Sequence, residues 1–351
     1  ERRLLVVLDL FALRMGCDLR KSSLMRGECE ALAESNPAVS ESSVLVFDMN
    51  YCMMGADELV LNGSNRHDMR QVAVHSEFLL IGMVADGRGG AKVSEFLRSS
   101  IISLFLEKLT TLGKPNSDNI QRAGQRAFIQ AHETVRQIKP TIAGSTLTIV
   151  VVNKARSEVT AMHVGDALAR LVPRRSKASS VCEDHRLDTS EAERKRVSDM
   201  GGHIERAKNQ YGKPSGPLML WPAGVMQARA IGSNDMGSYI DPNPAAMTLA
   251  LPTEESCSIV ICSRGVWDAL KCSTVDSLAR ETMKNSPTSS ARHIVKSSLI
   301  QRHAYSSNGD AIPRDDTTCI VIRVNRDRAG HRKLRLQLQP RVSSRNAKPK
   351  S

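Results

Sequence analysis

Aromatic side chains are nearly missing from this chain: two Trp, four Tyr and six Phe make up 3% of 351 residues. Hydrophobic residues still reach 41%, enough for a sizeable core, which must therefore be packed from Leu, Ile, Val, Met and Ala. No CxxC pair occurs among the eight Cys, which argues against a zinc site or a dithiol centre. Cys257 and Cys262 flank an apolar Ser-Ile-Val-Ile run and Cys319 precedes Ile-Val-Ile. Thiols in such runs read as buried and reduced, which points to a cytoplasmic, reducing compartment. Long apolar runs are absent too. The best one, Leu4 to Leu13, is short and interrupted by Asp9, so no membrane span is expected. No small-residue cleavage site follows it, so it is a poor signal peptide. There is no internal repeat, Walker loop or dinucleotide fingerprint in a strand-to-helix context.

Positive charge is present but unevenly placed. The formal net charge is +12, and residues 326–351 carry nine Lys or Arg against one Asp. The body is thus only mildly basic. The tail reads as a disordered, solvated segment able to touch acidic surfaces, and a nucleic-acid partner is not expected. A tail-driven nucleic-acid or membrane-surface binder on an unrelated fold is the most distant alternative.

The periodicity divides the chain into three parts. Residues 1–41 contain Leu4 to Leu10, an ordinary strand or helix start with the end of a leucine-rich repeat as its alternative, and a Ser-rich linker broken by Pro37. The chain opens with Glu, as a piece of a longer polypeptide would. Residues 42–325 form the expected domain, and 326–351 the tail. Within the domain, Val44–Phe47, Glu58–Leu61 and Phe78–Val84 read as strands, Ala91–Leu109 and Ser117–Ile138 as helices, and Ser145–Val152 with Glu158–Val164 as a hairpin. Ser190 with Glu193 forms a capping box opening a helix that stops at Gly201-Gly202. Ser258–Cys262 is a strand, Ser273–Met283 and Ser290–Arg302 are helices, and Thr318–Val324 is a last strand. Tyr211 to Pro217 reads as a surface loop. Hairpin-linked strands with helices segregated between them predict an α+β layered domain rather than a parallel βαβ fold.

Acidic residues recur at the ends of apolar strands: Asp86-Gly87-Arg88-Gly89-Gly90, Val164-Gly165-Asp166, Ser263-Arg264-Gly265-Val266-Trp267-Asp268, and Asp315-Asp316-Thr317-Thr318. Any one of them suits an ordinary turn. Converging, they would offer the oxygen ligands that hard divalent cations require. His163 and His185 read as structural, and Trp221 and Trp267 as core.

These anchors resemble, in order, those of the metal-dependent type 2C (PPM) serine/threonine protein phosphatases. Met83 to Gly90 is similar to the FDGHGG signature, Ala143 to Thr146 to the GST strand, His163 to Asp166 to NVGDSR, and Glu183 to Arg186 to EDHKP. Ala228 to Gly232 is similar to SRAFGD, Cys262 to Asp268 to ASDGLWD, and Asp315 to Ile320 to DDNITV. The resemblance implies an αββα sandwich of two mainly antiparallel sheets flanked by helices. It also implies a phosphoric monoester hydrolase of signalling phosphoproteins, in which two Mg or Mn ions activate a water. Carried over residue by residue, Asp86, Gly87 and Asp316 would be metal ligands, and Asp166 and Asp268 would hold a looser third ion. Asp57 and Glu58 would be the N-terminal acids, in reversed order.

The departures from the pattern bear on activity. Arg264 stands where the family has a metal-binding Asp. Arg88 replaces the signature His, and Thr317 an Asn. Met53 and Met54 lie where a phosphate-holding Arg is expected. A unit charge about 4 Å from another costs roughly 4 kcal/mol at an effective dielectric of 20, and about double against a divalent ion. The expectation is a pseudophosphatase that binds a protein or phosphoprotein in a regulatory or scaffolding role, possessing no metal, with the Arg264 guanidinium paired to Asp86 and Asp316 in a metal's place. The alternative is an active Mg/Mn enzyme. Ser263 to Asp268 also resembles the "NRGLWD" version in the phosphatase-like domain of fungal adenylate cyclases.

Overall fold

The computed structural model describes residues 79–137, 142–208, 211–301 and 316–326, together with the backbone of three strands nearer the N-terminus. The chain divides into two units, 1–40 and 41–351, and the first lies outside the described residues, as do the expectations for Leu4 to Leu10 and for the tail beyond Arg326.

In chain order, four strands come first: β1 (Val44–Leu45), β2 (Cys52–Leu59), β3 (Asp68–Ser76) and β4 (Leu79–Arg88). Two long helices follow, α1 (Lys92–Leu112) and α2 (Ser117–Gln137). Then come β5 (Gly144–Ser145), β6 (Leu147–Asn153), β7 (Glu158–Val164), β8 (Leu168–Pro173) and β9 (Ser179–Ser180). Helix α3 (Glu191–Asp199) leads into β10 (His203–Lys208), β11 (Pro214–Trp221), β12 (Ile231–Gly232), β13 (Ala245–Ala250) and β14 (Cys257–Cys262). The chain continues through the single turn α4 (Arg264–Trp267), α5 (Cys272–Glu281), α6 (Pro287–Gln301) and β15 (Thr317–Val324).

Two antiparallel sheets carry the architecture. One runs β1-β2-β15-β14-β8-β9; the other runs β12-β5-β4-β6-β7-β13, with β3 also on β4. Alternation along each strand explains the layering. In β4, Leu79, Ile81, Met83 and Ala85 face α1 and α2, meeting Leu97, Ile101, Phe105, Ala127 and Phe128. Leu80 and Val84 point the other way, with Val150, Val152 and Val159, toward Ile259, Ile261, Ile320 and Ile322 of the first sheet. On the far side of that sheet, Val260, Cys262 and Val321 pack on Val266, Trp267, Val275, Ile294 and Val295. Helix, sheet, sheet, helix is the expected α+β sandwich.

Several elements differ from the sequence reading. The strand expected at Glu58–Leu61 is instead β2, Cys52–Leu59, which places Asp57 and Glu58 near its end, opposite Cys319 and Thr318; their side chains are outside the described residues. The Tyr211 to Pro217 loop is shorter than expected, because Pro214 already begins β11, paired to β10 in a separate two-stranded ribbon. Only half of the capping box forms. Ser190 Oγ accepts from the Glu193 N–H, but the Glu193 carboxylate turns to Arg196 and Arg229 instead of back to Ser190. Trp267 is buried, whereas Trp221 is only half-buried, on the ribbon. Arg326, the first residue assigned to the tail, is anchored to the body through Ser256, Pro252 and Ser157.

Candidate active site

Strand ends from both sheets deliver the acidic residues to one place. Asp86 sits near the end of β4, fixed by its backbone. Its carbonyl accepts from the Thr146 N–H at 2.9 Å and from Ser145 Oγ at 3.1 Å, and its N–H donates to Thr146 Oγ1 at 3.2 Å. Gly87 is buried and pairs opposite Ser145. Asp166 lies in the tight turn between β7 and β8, where Gly165 takes a φ of +94°, a conformation natural only to glycine. The Gly165 N–H donates to His185 Nδ1 at 3.1 Å. His185 stacks on His163 with ring centroids 4.5 Å apart, so both histidines are structural supports behind the turn.

The second sheet brings Arg264 and Asp316 together. Ser263 donates its N–H to the Thr318 carbonyl at 3.0 Å and accepts the Thr318 N–H on its hydroxyl at 3.0 Å. This locks the end of β14 to the start of β15. A Cβ on Gly265 would lie 2.3 Å from the Asp316 carbonyl oxygen, so only glycine lets the α4 turn press against Asp316. Thr317 is buried as the first residue of β15.

Asp86, Gly87, Arg88, Asp166, Arg264 and Asp316 line one cavity of about 260 Å³, walled on another side by Gly224 to Gln227. Arg264 reaches Met226 Sδ at 3.8 Å. Asp166 is fully buried, and neither of its carboxylate oxygens has a hydrogen-bond partner. Burial pushes its pKa up to about 7, against the pull of Arg264 and with a further push from Asp86. Asp268 sits apart from the cavity lining and accepts from Arg186 Nη1 at 2.6 Å. Arg186 also holds Asp184 at 3.2 Å. Arg186 closes the Glu183 to Arg186 motif, which by itself assigns it no role. Its signal is not in spacing, since only the fold brings residues 82 positions apart into contact.

Arg88 turns from the carboxylates to the cavity rim. It donates to the Ala223 carbonyl at 3.0 Å and the Ile142 carbonyl at 3.2 Å, and pairs with Asp235 at 3.3 Å.

A scan against protein-family models matches residues 66–305 to Protein phosphatase 2C. The chain belongs to the protein phosphatase 2C family. Among curated relatives it is 31% identical over 241 residues to probable protein phosphatase 2C 12 of Arabidopsis thaliana, covering 68% of this chain and 52% of that protein. It is 32% identical over 239 residues to probable protein phosphatase 2C 40 of Oryza sativa subsp. japonica, covering 68% and 48%. The chain thus spans about half the length of the curated relatives it matches. Among solved structures, a serine-threonine phosphatase 2C from Toxoplasma gondii aligns with a TM-score of 0.67 at 14% identity, covering 82% of this chain and all of that one. A C. elegans sex determining protein aligns with a TM-score of 0.64 at 16% identity, covering 86% and 68%. At these identities the structural matches establish the phosphatase 2C fold.

Divalent ions of the kind the family uses would need carboxylate ligands in this cavity. Three carboxylates face the cavity, and the buried oxygens of Asp166 call for a positive charge. Arg264 brings one into the same space. Among the described residues, no group of three or more His, Cys, Asp or Glu is arranged to hold a metal ion. A guanidinium in the cavity opposes a divalent ion there, and the side chains of Asp57 and Glu58, the other acids expected at the site, lie outside the described residues.

Proposed function

We propose that this phosphatase 2C domain is catalytically impaired and serves a regulatory or scaffolding role toward a protein or phosphoprotein partner. The observation that carries this reading is Arg264 in the cavity lined by Asp86, Asp166 and Asp316. A fixed cation among the carboxylates opposes the binding of a divalent ion, and with it the activation of water. Hydrolysis of p-nitrophenyl phosphate with Mn²⁺ tests it on the wild type, Asp86→Ala and Arg264→Asp. Background rates in the wild type and a gain in Arg264→Asp are expected. Mn-dependent turnover in the wild type that disappears in Asp86→Ala would sink the proposal.

One observation favours a second reading, an active Mg/Mn-dependent serine/threonine phosphatase. Asp86, Asp166 and Asp316 line one cavity with the buried Asp166 oxygens in it, as ligands of a rearranged site would. The same assay decides between the two. The Ser263 to Asp268 segment supports a likeness to the phosphatase-like domain of fungal adenylate cyclases. The buried thiols of Cys182, Cys257, Cys262 and Cys319 suit a reducing, cytoplasmic setting. No helix among the described residues is long and apolar enough to cross a membrane. A role for the basic tail in binding acidic surfaces would appear as steeply salt-dependent binding abolished by removing residues 327–351.

A further inference from the structure

Asp166 lies in the electrostatic field of two arginines. Arg264 lines the cavity with it. Arg186, from the segment after β9, reaches Asp268 at 2.6 Å and Asp184 at 3.2 Å. The two guanidiniums come from different parts of the chain, one from the turn after β14 and one from the loop that leads to α3. Arg264 shares the cavity with Asp86, Asp166 and Asp316, and Arg186 holds Asp184 and Asp268 next to it.

Carboxylates gathered in a partly buried space repel one another, and each also loses solvation. Such a cluster persists in a folded protein with positive charge beside it or with some of its carboxyls protonated. The buried oxygens of Asp166 have no hydrogen-bond partner, so their compensation acts through space. Guanidinium suits this role, since it keeps its charge when buried and is weakly hydrated.

We propose that Arg264 and Arg186 are the resident cations of this carboxylate cluster, so that the domain's folding carries its own counter-charge and does not draw on a divalent ion. The inference rests on the reading of the site as impaired in metal binding and extends it from hydrolysis to stability. It assigns Arg186 a function that nothing in its sequence context announces. It also predicts that removing a guanidinium uncovers a latent cation site in the cluster.

Thermal unfolding of the intact chain tests this, in excess EDTA and in millimolar Mn²⁺. The wild-type midpoint is expected to be the same in both. Arg264→Met is expected to melt several degrees lower in EDTA and to recover at least half of that loss in Mn²⁺, because the ion then fills the place of the lost charge. A merely structural arginine would give the loss without the recovery. Should Arg264→Met fail to fold, Arg186→Met supplies the same comparison at a position whose side chain is 22% exposed. A wild-type midpoint raised by Mn²⁺, with the rise lost in Asp166→Asn, would overturn the proposal, as would loss without Mn²⁺ recovery in the folded variants. The two readings fail separately. Mn-dependent hydrolysis alongside an unchanged wild-type melt overturns the impaired-enzyme reading alone; a Mn-raised melt without hydrolysis overturns the resident-cation assignment alone.

Discussion

Arg323 is 1% exposed in β15, and it shows how a single buried charge is accommodated away from the site. It donates to the Thr282 carbonyl at 3.3 Å, to Ser290 Oγ at 2.9 Å and to the Asn285 carbonyl. Burial pulls its pKa down to about 10, still leaving it charged at neutral pH. Its bonds thus add to those of the chain just after α5, where the Thr282 carbonyl also accepts from the Asn285 N–H at 2.9 Å and from Ser290 Oγ at 3.1 Å. Arg323→Met removes the guanidinium from three acceptors, and a loss of about 3 kcal/mol in urea denaturation is expected. The stacked histidines give a residue-scale pH dependence. Burial lowers the pKa of His163 from 6.5 to about 4 and that of His185 to about 2. Because the folded state favours the neutral ring, the stability from His163 is complete above the unfolded value and is lost as pH falls from 6.5 toward about 4. Between about pH 7 and about pH 5, the wild type should lose ~2 kcal/mol more than His163→Gln, measured by denaturant midpoints at each pH.

Among the elements, α5 is tied to its sheet by a mostly buried ion pair. Arg170 of β8 meets Asp276 of α5 through two bonds of 2.7 Å, with side chains 14% and 9% exposed. Asp276→Ala strands the Arg170 charge, and a cost of about 3 kcal/mol is expected in chemical denaturation, with Asp276→Asn losing less. Elements of this kind were unequally legible in the sequence. The β6–β7 hairpin and the continuous apolar runs of β14 and β15 announce themselves, because they are buried on both faces and carry β-branched residues. β13 does not: Ala-Ala-Met-Thr-Leu-Ala has little strand propensity and is held by its full register against β7. The β10–β11 ribbon is masked by the polar His-Ile-Glu-Arg-Ala-Lys of β10 and by the Pro-Ser-Gly-Pro that opens β11, although Ile204, Leu218 and Leu220 pack in a cluster of their own. β8 was overlooked because Arg170 interrupts its apolar run, and that arginine is explained only by Asp276, 106 residues away. At the site, the acids were legible as strand-end residues, while their real neighbours were not. Arg264 stood out as a charge reversal in a motif. Arg186 and the Arg88–Asp235 pair depend on which loops fold together, information that local spacing does not carry.

At the scale of the whole molecule, the layered fold was legible because helices and strands alternate in blocks and the hydrophobic periods agree with them. The strand order was not, since it depends on non-local pairing. β15 does not lie at the edge of its sheet; it sits between β2 and β14, with eight residues registered on β2 and six on β14. A chain truncated before Thr317 should therefore fail to give a cooperative thermal transition, with near-ultraviolet circular dichroism as the measurement, although every helix described here is retained. Truncation after Arg326 should keep the transition.

That placement of β15 also has a consequence for how the protein is made. β15 is the last of the described strands to leave the ribosome, yet it fills the middle of a sheet whose other strands emerge earlier. Throughout that interval β2 and β14 have no strand between them, and each presents an open backbone edge of the kind that recruits a neighbouring nascent chain. The speed of synthesis between Cys262 and Thr317, and chaperone capture during it, should therefore govern how much of the protein reaches the folded state.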